Sequence, residues 1–87
     1  MEISILGTGC YNCLKLEMMI ARLVEELGLS EARVTRVDDP HQIRKFIPED
    51  AAPGLVINGR LVSNGRLPDD AEVRGWLSQA AHLEQAA

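Results

Sequence analysis

Residues 3–17 read ISILGTGCYNCLKLE, and this stretch decides the fold. It begins with a short Ile/Leu-rich segment, Glu2 to Leu6, which Gly7-Thr8-Gly9 breaks off abruptly. That is the pattern of an interior strand followed by a tight loop. Beyond Tyr11 the period changes. Leu16, Ile20, Leu23 and Leu27 recur at spacings of four, three and four, with Met19 and Val24 beside them. The spacing predicts a helix over residues 11–27 with one apolar face, stopped by Gly28. Lys15, Arg22, Glu25 and Glu26 fall mostly off that face.

Cys10 and Cys13 stand where the strand hands over to the helix, Cys10 near the N-cap and Cys13 one turn inside. Unpaired backbone N–H groups at a helix start carry partial positive charge and favour a thiolate there. The thiolate is the attacking species in sulfur chemistry, so Cys10 is the expected nucleophile. Cys13 is close enough to resolve a mixed disulfide. A bond between residues three apart closes a tiny loop and adds little global stability, so the pair reads as chemistry rather than as a staple. Tyr11 and Asn12, between the cysteines, are expected to tune potential and substrate fit. Lys15 reads as a solvated residue of the first helical turns.

Outward from this stretch, Arg33 to Asp38 reads as a second strand with Val34 and Val37 as its apolar anchors. Asp39-Pro40 reads as an N-cap and first-turn proline, opening a short helix to Ile47 with Ile43, Phe46 and Ile47 buried. Pro48 to Pro53 reads as a loop. Gly54 to Asn58, GLVIN, is a dense apolar strand, and Asn58-Gly59 is the chain's strongest hairpin signal. Arg60 to Ser63 returns as the partner strand, and Asn64-Gly65 turns again. Leu67-Pro68-Asp69 opens a last helix with Val73, Trp76, Leu77 and Ala80 on its inner face. The order is β-α-β-α-β-β-α, expected as a single domain over 1–82 with a frayed tail at 83–87.

Composition narrows the function. The chain has 87 residues, 46% of them hydrophobic, with a single Phe, Trp and Tyr, so the core must be aliphatic. Its net charge of −4 comes with nine scattered Lys and Arg, unlike the clustered basic residues that phosphate contacts require. No apolar run approaches the roughly 18 residues of a membrane span, and the first residues lack the layout of a signal peptide. The expectation is a soluble, cytoplasmic monomer with no nucleic-acid or membrane partner. Two cysteines in a reducing compartment are more often catalytic, redox-sensing or metal-binding than structural.

Three stretches together, ISILGTGCYNCLKLE at 3–17, APGLVING at 52–59 and VSNGRLP at 62–68, resemble the small thioredoxin-like or glutaredoxin-like proteins, also called redox-active disulfide proteins. The resemblance covers nearly the whole chain. It implies an α/β thioredoxin-like fold, βαβαββα, with a four-stranded mixed sheet flanked by three helices. It also implies Cys10 as nucleophile, Cys13 as resolving thiol, and Pro53 as a cis proline facing the pair. Ala52, before that proline, would present backbone polar groups to an extended substrate. The chain departs from larger relatives in having Tyr-Asn between the cysteines, Gly9 rather than Trp before Cys10, Ala before Pro53, and no evident buried carboxylate.

The expected activity is thiol–disulfide exchange with protein or small disulfides, using reducing equivalents from an unidentified electron donor. No cofactor is expected and no metal ligand set is assigned. The alternatives are Cu(I) binding or redox sensing through the same two thiols. Metallochaperone domains that carry such a pair have the order β-α-β-β-α-β, which this chain does not follow. His41 and His82 lack the paired spacing of a zinc site and read as surface residues.

Overall fold

The apolar run that opens the chain becomes strand β1 (Glu2–Leu6) at the interior of a four-stranded sheet in a computed structural model, which describes residues 1–86. Helix α1 (Tyr11–Glu26) leads to β2 (Arg33–Val37), and the one-turn α2 (Pro40–Ile43) and a 3-10 turn (Glu49–Ala51) lead to β3 (Gly54–Ile57). Strand β4 (Arg60–Ser63) and α3 (Asp70–Ala86) follow. The sheet order is β2-β1-β3-β4, with β1 and β2 parallel and the other pairs antiparallel. This is the βαβαββα architecture, a mixed sheet flanked by three helices.

The strand sequences account for their places. The interior strands β1 and β3 carry near-continuous apolar runs because both of their faces are covered. Ile3, Ile5, Leu55 and Ile57 face α1 and α3, where Leu16, Ile20, Leu23, Val73 and Leu77 complete one buried cluster. Leu6 and Val56 point the other way and pack with Ile43 and Ile47. The edge strand β2 is RVTRV, and its charged residues suit an exposed edge. Between Leu55 and Val56 the pairing with β4 shifts, leaving Val62 as an extra residue on β4.

The turns follow their residues closely. Asn58 (φ 51°) and Gly59 (φ 80°) make the left-handed pair of a type I′ hairpin. The Asn58 side chain also accepts from the Glu2 amide at 2.9 Å, tying the hairpin to β1. Helix α1 stops at Gly28 (φ 67°), whose amide donates to Glu25 O while that of Leu29 donates to Val24 O. This closure satisfies carbonyls that would otherwise be orphaned at the helix end. At the start of α3, Asp69 Oδ1 accepts from the Glu72 amide at 2.8 Å and Glu72 Oε1 from the Asp69 amide at 3.2 Å. That reciprocal pair is a capping box.

Several sequence expectations need correction. Helix α2 closes after a single turn, and the Lys45 and Phe46 amides donate to carbonyls three residues back. Ile47 keeps to the side of Ile43, its amide donating to Ile43 O at 3.0 Å, and both are buried, whereas Phe46 is 43% exposed. Val34, read as an anchor, is 38% exposed, because it sits on an edge strand. The loop at 48–53 contains the 3-10 turn. Helix α3 runs to Ala86, and Ala87, the end of the expected tail, lies outside the described residues.

Candidate active site

Cys10 is the N-cap of α1, in extended conformation (φ −80°, ψ 155°). Its carbonyl oxygen receives the first helical hydrogen bond, from the Leu14 amide at 3.2 Å. Its Sγ accepts from the Cys13 amide at 3.0 Å, so the sulfur takes the role that a Ser or Asp oxygen plays at most helix starts. The two cysteines are joined as a disulfide, S–S 2.07 Å with Cα atoms 5.1 Å apart. Their surroundings differ sharply. Cys13 has no solvent exposure, whereas Cys10 is only half-buried.

Burial of Cys13 follows from the helical face it occupies. It shares that face with Leu16, Ile20 and Leu23, all without exposure. Tyr11, Leu14 and Met18 lie on the opposite side and are exposed, Tyr11 by 71%. Asn12 is exposed as well. Lys15, expected to be simply solvated, places its Nζ 4.6 Å from the centre of the Tyr11 ring, a cation–π contact on the outer surface. Glu17, one turn beyond Cys13, is held by Arg36 of β2 at 3.0 Å.

The second part of the site comes from the segment before β3. The Ala52–Pro53 peptide bond is cis. Pro53 is buried and Ala52 half-buried. The Gly65 amide donates to Ala51 O at 2.5 Å, so the Asn64-Gly65 turn fastens this segment from the far side of the hairpin. Ala52 joins Gly7, Thr8, Pro40 and Ile43 around a cavity of about 270 Å³. The loop before the dithiol, helix α2 and the residue before Pro53 thus meet at one end of the sheet.

Sequence reasoning singled out Cys10, Tyr11, Asn12, Cys13, Ala52 and Pro53. Gly7, Thr8, Pro40, Ile43 and Gly65 were missed as neighbours of this site. In the sequence alone Gly7 and Gly65 read only as loop punctuation. Their contacts with Cys13 and Ala51 depend on how helix, strand and hairpin come together, which no local pattern records.

A protein family described as "Thioredoxin domain" matches residues 1–78. The chain is 37% identical over 78 residues to a thioredoxin of Methanothermobacter thermautotrophicus, covering 90% of this chain and 99% of that one. It is 31% identical over 72 residues to a thioredoxin of Methanocaldococcus jannaschii, covering 83% of this chain and 80% of the relative. Among solved structures, the germline-specific thioredoxin Deadhead of Drosophila melanogaster superposes with a TM-score of 0.57 at 14% identity. That match covers 90% of this chain and 78% of the other, and it speaks to the fold alone.

Proposed function

The chain belongs to the thioredoxin family, and on that footing we propose that Cys10 attacks substrate disulfides while Cys13 resolves the adduct. A C-x-x-C disulfide at a helix start in this fold supports thiol–disulfide oxidoreductase activity. The observation that carries the assignment of roles is the unequal burial of the two cysteines, with a backbone N–H aimed at the sulfur of the less buried one.

The cycle balances as a two-electron exchange. The Cys10 thiolate attacks one sulfur of a substrate disulfide, whose S–S bond breaks, and the departing thiolate takes a proton from solvent. Cys13 then gives up its proton and attacks Cys10 Sγ. The mixed disulfide breaks, the second substrate thiol leaves, and the Cys10–Cys13 bond forms. The substrate is reduced and the protein oxidised, and a separate thiol donor returns the pair to the dithiol. Tyr11, Asn12, Ala52 and Pro53 form the substrate-facing surface in this reading, supported by the cavity that joins Ala52 to the loop before the dithiol.

The same reading takes the protein as a cytoplasmic monomer acting on disulfide-bonded proteins or small disulfides, with no nucleic-acid or membrane partner. Among the described residues no helix is long and apolar enough to cross a membrane. The element order also departs from the β-α-β-β-α-β of metallochaperone domains that share the cysteine spacing. Reduction of insulin or a small aromatic disulfide by the reduced protein tests the activity. Turnover is expected for the native chain and loss of about a hundredfold or more for Cys10→Ser; full activity in Cys10→Ser would overturn the assignment.

A further inference from the structure

Gly7 lies just past β1, and its amide donates to Val37 O at 2.9 Å, anchoring the backbone there to β2. Left-handed φ angles occur at Gly9, Gly28, Gly59 and Gly65, and Gly7 is not among them. Backbone conformation therefore does not require glycine at this position. Space does. A Cβ on residue 7 would stand 2.1 Å from Cys13 Sγ, 3.4 Å from Cys13 Cβ and 3.7 Å from Ala52 Cβ. The sulfur fills the volume that the missing side chain leaves open.

We propose that Gly7 is a positioning residue that sets the redox equilibrium of the dithiol, by leaving Cys13 Sγ the seat it occupies when joined to Cys10. This rests on reading the pair as a reversible redox couple. In the disulfide, Cys13 Sγ is bonded to Cys10 Sγ and buried, so it cannot swing away from a new methyl group. Reduction adds two electrons and two protons, breaks the S–S bond, and frees the Cys13 thiol to choose another staggered rotamer. A methyl at residue 7 is consequently worse for the disulfide than for the dithiol. The couple becomes more oxidising.

The test equilibrates the native protein, Gly7→Ala and Gly75→Ala with dithiothreitol buffers of graded reduced-to-oxidised ratio, reading the dithiol fraction by thiol alkylation and mass. Gly75 is in α3 with nothing within 4 Å of its Cβ position, so it controls for loss of a glycine as such. Gly7→Ala is expected to move the equilibrium toward the dithiol by threefold or more, about 14 mV for a two-electron couple in which tenfold is about 30 mV. Gly75→Ala is expected to leave it unchanged. A shift below threefold for Gly7→Ala, or one toward the disulfide, overturns the proposal.

Unfolding in urea provides the second readout. The cost of Gly7→Ala is expected to be large in the oxidised protein and much smaller in a Cys13→Ala background, where the sulfur is gone. Failure of oxidised Gly7→Ala to fold while the double variant folds supports the proposal; equal cost, or failure in both, overturns it. A native protein that equilibrates with dithiothreitol but never reduces a substrate disulfide would sink the proposed exchange activity and leave the role of Gly7 intact. An unchanged equilibrium in Gly7→Ala would do the reverse.

Discussion

The amide of Cys13 donates to Cys10 Sγ at 3.0 Å, while Cys13's own sulfur is sealed between α1 and the end of β1. One backbone N–H thus points at the outer sulfur, and one packing contact withholds the inner sulfur from solvent. A helix start supplies the first effect wherever a cysteine caps it. The second depends on the fit of this helix to this strand.

Alkylation of the reduced protein reads that asymmetry directly. With limiting iodoacetamide, Cys10 is expected to be modified at least tenfold faster than Cys13, measured by peptide mass spectrometry. Equal rates would mean that the sealing of Cys13 does not persist once the disulfide is reduced.

The α1 face that buries Cys13 also carries much of the fold. Ile20 has no exposure and packs in the cluster that joins α1, β1, β3 and α3. Ile20→Ala is expected to cost about 2–5 kcal/mol, a large share of the roughly 5–15 kcal/mol available to a domain. Met18, 64% exposed on the opposite side, is expected to tolerate alanine within about 0.5 kcal/mol. Urea titrations of both variants check the contrast, and similar costs would contradict the assigned helical face.

Much of this was legible in the sequence because the signals were local or periodic. The double-sided burial of β1 and β3 shows in ISIL and GLVI, the α1 face in its three-and-four spacing, and the hairpin in Asn58-Gly59. Phe46 misleads because the buried side of so short a segment is filled by Ile43 and Ile47, which pack with Leu6 and Val56, and Phe46 is left outside. Val34 misled because an apolar residue on an edge strand need not be covered. The dithiol and Ala52-Pro53 were visible as motifs. The part played by Gly7 was not, since the need for a missing side chain arises only when Cys13 is folded against it.

Glycines elsewhere separate by backbone conformation. Gly75 is exposed within α3, so Gly75→Ala is expected to stabilise by about 0.5–1 kcal/mol. Gly28 holds a φ of 67° at the end of α1, so Gly28→Ala is expected to destabilise, by about 1 kcal/mol. Thermal unfolding should move in opposite directions for the two variants. A shared direction would contradict the assigned helix boundary.

Acid should loosen the start of α3. Arg66 grips both oxygens of Glu72, at 2.8 and 2.7 Å, and with the Asp69 amide it holds that carboxyl down to about 2. The Arg22 guanidinium likewise holds Asp70 below its ordinary value. Depressed carboxylates bind protons more readily in the unfolded chain, so their stabilisation is complete above the ordinary value of 4.5 for Glu72 and fades as pH falls toward about 2. The urea midpoint is expected to drop over that window, and Glu72→Gln to flatten part of the drop. An unchanged slope in Glu72→Gln would contradict the hold of Arg66 on the Glu72 carboxylate.

Trapping of the mixed disulfide tests the division of labour between the cysteines most directly. Reduced Cys13→Ser, mixed with a peptide disulfide, is expected to accumulate a covalent adduct at Cys10, visible by intact mass and released by dithiothreitol. Reduced Cys10→Ser, with its remaining sulfur buried, is expected to yield little or none in the same time. An adduct at Cys13 forming as fast in Cys10→Ser, or no adduct in either variant, would contradict the account.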